Sequence, residues 1–131
     1  MRALIVEDSQ MSQAYIQSLL AELEIESICA SDGLTGVEFF QLESPDLVLL
    51  DIVLPDIDGL EVARRIRRGE RPGEWTPIIF LTARTTDEDL EAGIAAGGDD
   101  YLAKPINPIV LAAKLRAMQR IVLMRRELAH L

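Results

Sequence analysis

The sequence predicts an α/β fold, a doubly wound parallel sheet of five strands with helices on both faces. Three observations carry this expectation. Short runs rich in Ile, Val and Leu alternate with segments of helical spacing. The short runs are continuously apolar, as strands covered on both faces must be. The links between segments are short, so each strand feeds a helix and each helix returns to the sheet.

The strand candidates are Leu4-Ile5-Val6, Leu47-Val48-Leu49-Leu50 and Ile78-Ile79-Phe80-Leu81. A further one, Ile25 to Ala30, alternates and starts polar, so it belongs at an edge. The last, Tyr101-Leu102-Ala103, is brief. Between them, residues 10–23 place Ala14, Ile16, Leu19, Leu20 and Leu23 near one stripe. Residues 33–42 carry Leu34, Val37 and Phe40, and residues 59–68 carry Leu60, Val62, Ala63 and Ile66 beside four arginines. A helix over 86–96 opens with Thr85 and Glu88 at capping-box spacing, and its first acidic residues suit a helix N-terminus. The last helix has Asn107 as cap and Pro108 as first residue.

Composition narrows the function. The chain has 131 residues, 49% hydrophobic and 27% charged, which fits one soluble globular domain. One cysteine, Cys29, excludes a disulfide framework and fits a reducing, cytoplasmic setting. No apolar run is long enough to span a membrane, and Met1-Arg2-Ala3-Leu4 opens no signal peptide. A net charge of −9 argues against direct nucleic-acid binding. The charge is uneven: residues 114–131 set five cations against Glu127, which leaves −13 for the first 113 residues. The basic tail points to a separate task for the last stretch.

In a doubly wound sheet ligands bind beyond the carboxyl ends of the strands. Here those ends carry Glu7-Asp8, Asp51, Thr82-Ala83 and Lys104-Pro105. Three carboxylates at one edge repel one another unless their pKa values rise or a cation neutralises them. Hard oxygen ligands with no His or Cys nearby suit Mg²⁺, which takes one or two carboxylates together with a phosphate. The cluster therefore reads as a site for phosphoryl chemistry. A carboxylate can act as nucleophile, Lys104 can hold a phosphoryl oxygen, and Thr82 with the backbone N–H of Ala83 can stabilise the transferring group.

These residues resemble the receiver domains of two-component response regulators. The matching motifs are Leu4-Ile5-Val6-Glu7-Asp8, Asp51-Ile52-Val53-Leu54-Pro55-Asp56-Ile57-Asp58-Gly59, Phe80-Leu81-Thr82-Ala83 and Gly98-Asp99-Asp100-Tyr101-Leu102-Ala103-Lys104-Pro105, covering residues 1 to about 120. The resemblance implies a flavodoxin/CheY-like sheet of order 2-1-3-4-5. It implies that Asp51 is the phosphoacceptor, supplied by a histidine kinase or phosphotransfer protein. Glu7, Asp8, Asp51 and the backbone carbonyl of Val53 would hold Mg²⁺. Thr82, Ala83 and Lys104 would bind the phosphoryl group, and the bond before Pro105 would be cis. Thr82 and Tyr101 would act as switch residues, reshaping the face built from the last two helices and the last strand. Val53 and Arg84 would flank the phosphoryl group, obstruct attacking water and slow autodephosphorylation.

Other residues read more plainly. Asp56 and Asp58 are turn residues around Gly59. Trp75 covers the core beside the 69–76 loop. Cys29 is a small packed hydrophobe. Gly97-Gly98 is a helix stop. His130, the only histidine, lies at the far end of the last helix and offers no general base.

The tail extends the domain. Residues 1–120 form the receiver, and 121–131 continue the last helix without Gly or Pro, about 36 Å in all from Pro108. Ile121, Met124, Leu128 and Leu131 recur at coiled-coil spacing, flanked by Arg120, Arg125 and Arg126, so homodimerisation through this helix is expected. The abrupt end suggests the receiver part of a longer regulator, with a diguanylate cyclase or PP2C-type phosphatase as the leading guesses for its output. Two other functions compete. A Mg²⁺-dependent phosphohydrolase with an aspartyl nucleophile would want a second Asp two residues after Asp51, where Val53 stands. A phosphorylation-independent binding module would not need the full set of phosphorylation residues.

Overall fold

The computed structural model describes residues 1–83 and 86–129. Five strands and five helices alternate: β1 (Arg2–Val6), α1 (Gln10–Glu22), β2 (Glu26–Ala30), α2 (Gly33–Glu43), β3 (Leu47–Asp51), α3 (Gly59–Gly69), β4 (Ile78–Thr82), α4 (Asp87–Ala96), β5 (Asp100–Ala103) and α5 (Pro108–Ala129). The strands form one parallel sheet in the order β2-β1-β3-β4-β5. The expected fold class and strand order are both present.

The continuous apolar runs have a simple cause. Successive side chains leave a strand on opposite faces. Ala3, Ile5, Leu47, Leu49, Ile79 and Leu81 pack with Ile16 and Leu20 of α1 and Leu111, Leu115 and Met118 of α5. Leu4, Val6, Val48, Leu50, Ile78 and Phe80 pack on the other face with Val62, Ala63 and Ile66 of α3 and Ala96 of α4. Each strand residue meets a helix on its own side, so neither face tolerates polar alternation. β2 is the exception. It runs exposed to half-buried until Ala30, as an edge strand should.

Caps explain most helix starts. Ser9, Asp32, Asp58 and Thr86 each accept a hydrogen bond from the backbone N–H three residues on. Asn107 Oδ1 accepts from Ile109 N and Val110 N at the start of α5. One expectation is corrected here. The cap of α4 is Thr86, answered by Asp89, one residue later than the expected Thr85 and Glu88. Two capping boxes overlap in this stretch, and spacing alone does not choose between them; Thr85 itself lies outside the described residues. Gly97 ends α4 at φ +116, a left-handed conformation that favours glycine. Trp75 and Cys29 are partly buried and pack on the core that faces α1 and α5.

The end of α5 lies back on the domain. Val122 is buried, the Arg125 guanidinium sits 4.6 Å over the Trp75 ring, and Arg126 pairs with Asp46. Ile121, Met124 and Leu128 are exposed along the same helix. Leu131 and His130 lie outside the described residues.

Candidate functional site

Parallel strands bring their carboxyl ends to one edge, and that edge collects the expected residues. Glu7 follows β1, Asp51 ends β3, Thr82 ends β4 and Lys104 follows β5. Register fixes their relative heights: Val6 pairs with Leu50, Asp51 with Leu81, and Thr82 with Ala103. Carboxylate oxygens of Glu7, Asp8 and Asp51 lie within 4.8 Å of one another. Lys104 Nζ donates to Asp51 Oδ2 at 2.7 Å and to Glu7 Oε1 at 3.3 Å. The Val53 N–H donates to Asp51 Oδ1 at 3.0 Å. Thr82 is 4% exposed, while Asp8, Val53 and Ala83 are exposed. The Lys104–Pro105 peptide is cis. Arg84 lies outside the described residues.

The electrostatics follow from placing two neighbouring carboxyls under one ammonium. Burial pushes the Glu7 carboxyl up to about 7, helped by the neighbouring Asp51 carboxylate, against an opposing pull from Lys104. Burial also pushes Asp51 up, but contacts with Glu7, Lys104 and the Val53 N–H outweigh it and hold Asp51 below the ordinary aspartate value. Burial lowers the Lys104 pKa, and its two carboxyl partners more than restore it, leaving it raised. The site thus disfavours the charge on Glu7 and favours the charge on Asp51. Like charges this close cannot both ionise freely in a half-dry site.

These residues fit a hard divalent cation. Glu7 is 1% exposed, and its Oε2 is buried without a hydrogen-bond partner. An orphaned buried carboxyl oxygen is costly unless a cation or water completes it. The donor set is all oxygen, which suits Mg²⁺. Glu7, Asp8 and Asp51 are the side chains able to hold it.

Behind this edge lies the region of the expected switch pair. Tyr101 is half-buried. Lys114 Nζ stands 4.8 Å from its ring centroid and donates to the Tyr101 carbonyl and to Asp100. A cavity of about 150 Å³ between β4 and α4 is lined by Phe80, Thr82, Leu90, Gly93 and Tyr101, among others.

Two anchors were not foreseen. Asp99 accepts from Arg67 Nη2, Trp75 Nε1 and Ile78 N at 2.7, 3.1 and 2.8 Å. Asp56, expected only as a turn residue, accepts from Gly33 N and Leu34 N, both at 2.8 Å. Neither leaves a signal in sequence spacing, because the partners are 21 to 32 residues away. A run of acidic residues flanking a glycine shows only that the chain turns.

A parallel doubly wound sheet with carboxylates and a lysine gathered at the carboxyl ends of its strands defines an α/β domain of the class that binds ligands at that edge. Residues 3–116 match the family described as "Response regulator receiver domain", and the chain belongs to that family. Over 117 residues it is 39% identical to the transcriptional regulatory protein AfsQ1 of Streptomyces coelicolor, covering 89% of this chain and 50% of that one. The chain spans about half the length of the curated relatives it matches. Among solved structures it resembles the BeF3-activated receiver domain of RstA from Klebsiella pneumoniae, at 32% identity and TM-score 0.84, covering 92% of this chain and 99% of that one. It also resembles the receiver domain of Ssk1 from Saccharomyces cerevisiae, co-crystallised with the histidine phosphotransfer signalling protein Ypd1. That match has 30% identity and TM-score 0.80 and covers 87% and 85% of the two chains. No helix among the described residues is long and apolar enough to cross a membrane.

Proposed function

We propose that this chain is a phosphorylation-activated switch in which Asp51 accepts a phosphoryl group from a histidine kinase or phosphotransfer protein. The observation that carries this reading is the Asp51–Lys104 contact inside the Glu7, Asp8 and Asp51 cluster. Asp51 stays ionised, so its carboxylate oxygen can attack phosphorus as the bond to the donor nitrogen breaks. Lys104 then moves its charge from the carboxylate to a phosphoryl oxygen. Thr82 and the Ala83 N–H receive the remaining oxygens at the end of β4. Mg²⁺ on Glu7, Asp8, Asp51 and the Val53 carbonyl supplies charge neutralisation when bound.

Phosphorylation adds charge where Lys104 now sits and draws Thr82 toward the new group. The 150 Å³ cavity beside Thr82 gives Tyr101 room to turn inward. That movement would take the Tyr101 ring away from the Lys114 ammonium and alter the α4, β5 and α5 face. The match to transcriptional regulators at half their length favours control of transcription by a segment beyond this chain over a cyclase or phosphatase output. We assign residues 1–120 to the receiver and the part of α5 from 121 to 129 to its helical extension. The exposed Ile121, Met124 and Leu128 stripe supports self-association through α5. The 67% exposure of Val53, two residues after Asp51, supports a role in shielding the acyl phosphate from water, which Arg84 is expected to share. Replacing both Val53 and Arg84 with alanine should speed phosphate loss, read by intact mass over time; an unchanged lifetime removes this shielding role.

Intact mass after incubation with Mg²⁺ and acetyl phosphate tests the central reading. The parent should gain one phosphoryl group and Asp51→Ala none. Gain in neither supports a phosphorylation-independent module, and steady turnover of phosphomonoesters supports the hydrolase.

A further inference from the structure

We infer that Asp56 is a positioning residue for the phosphoryl site, bracing the loop after Asp51 against the N-terminus of α2. The inference rests on the assignment of Asp51 and Val53 above and adds a residue that neither touches the metal nor the phosphoryl group.

Asp56 Oδ1 and Oδ2 accept from Gly33 N and Leu34 N, each at 2.8 Å. These are orphan donors of the first turn of α2, and the helix dipole strengthens both bonds. The helix already has its own cap, since Asp32 Oδ1 accepts from Thr35 N at 2.7 Å. The second carboxylate satisfies two further donors from 23 residues away and in doing so ties two segments together. Gly33 confirms how close they come: a Cβ there would lie 2.6 Å from Ile57 Cγ1 and 3.1 Å from the Ile57 carbonyl.

The loop is held at its other end as well. Val53 N–H bonds Asp51, Gly59 N–H bonds the Ile52 carbonyl at 2.8 Å, and Asp58 caps α3. Between Val53 and Asp56 only Leu54 packs on the core, half-buried, and Pro55 follows it. Proline fixes its own φ and holds the residue before it extended, so Leu54-Pro55 behaves as a short strut. Displacement at Asp56 is therefore transmitted to Val53, whose carbonyl would help hold the metal in the assignment above.

The control is built into the helix. Asp32→Ala and Asp56→Ala each remove a cap of α2, and both should lower the melting temperature by similar amounts. Only Asp56→Ala should free the loop. Calorimetry with Mg²⁺ alone should show about tenfold weaker binding in Asp56→Ala and parent-like binding in Asp32→Ala. Asp56→Asn, with one acceptor oxygen, should recover part of the loss. In metal-free protein, amide exchange over residues 52–58 should quicken in Asp56→Ala but not in Asp32→Ala. Parent-like exchange and Mg²⁺ affinity in Asp56→Ala, or equal effects in both variants, overturns the brace. A parent that binds no Mg²⁺ and gains no phosphoryl group removes the parent assignment instead, while the exchange comparison still decides the brace.

Discussion

The Arg125 guanidinium lies 4.6 Å over the ring of Trp75, joining the last turns of α5 to the loop that precedes β4. Trp75 is the only tryptophan in the chain, so this contact carries its own fluorescent reporter. Arg125→Ala should cost about 0.5–1 kcal/mol, the usual worth of an exposed cation–π pair, and shift the tryptophan emission. Chemical denaturation followed by fluorescence checks both. Unchanged emission would mean that the helix end does not rest on the ring in solution.

Asp99 holds three donors at the foot of β5, namely the Arg67 guanidinium, the Trp75 indole N–H and the Ile78 N–H. Asp99→Ala leaves all of them without this acceptor, at a cost of about 2–3 kcal/mol. Asp99→Asn should recover part of it, because the amide oxygen still accepts. Thermal melts of the two variants read the difference.

Glu7 makes the metal-free protein sensitive to pH. Its folded value of about 7 lies above the ordinary 4.5, so between them the folded state holds a proton that the unfolded chain has lost. The stabilising contribution is fully present below about 4.5 and disappears as pH rises through about 7. Metal-free stability should therefore carry a falling component across that window, and Glu7→Gln should remove it. Mg²⁺ competes with the same proton. Calorimetry in buffers of different ionisation enthalpy should show proton release on Mg²⁺ binding below about pH 7 and little above. Chelation by EDTA should restore the metal-free trend.

Gly59 leaves no room for a side chain. A Cβ there would lie 2.2 Å from the Asp51 carbonyl oxygen and 2.8 Å from Ile52 Cα. Both are backbone atoms and cannot step aside as a flexible side chain could. Gly59→Ala should cost about 3 kcal/mol and displace the chain at Asp51. Melting temperature reads the first effect. The second should appear as slower labelling by acetyl phosphate at a temperature where the variant remains folded.

The local chemistry of the chain determined its elements and the composition of the acidic edge. Continuous apolar runs required a sheet covered twice, and parallel strands necessarily bring Glu7, Asp51, Thr82 and Lys104 to one edge. Asn107-Pro108 and Gly97 marked helix ends because their backbone preferences are local. Tertiary structure decided what depends on distant partners. It chose Thr86 over Thr85 as the cap of α4, pushed the Glu7 carboxyl up while holding Asp51 down, and made anchors of Asp56, read as a turn residue, and of Asp99, which carried no separate expectation. It also folded Arg125 and Arg126 back onto Trp75 and Asp46. A carboxylate's partner and its burial are properties of three-dimensional neighbours. Sequence spacing fixes only those neighbours that share a helix face or a strand.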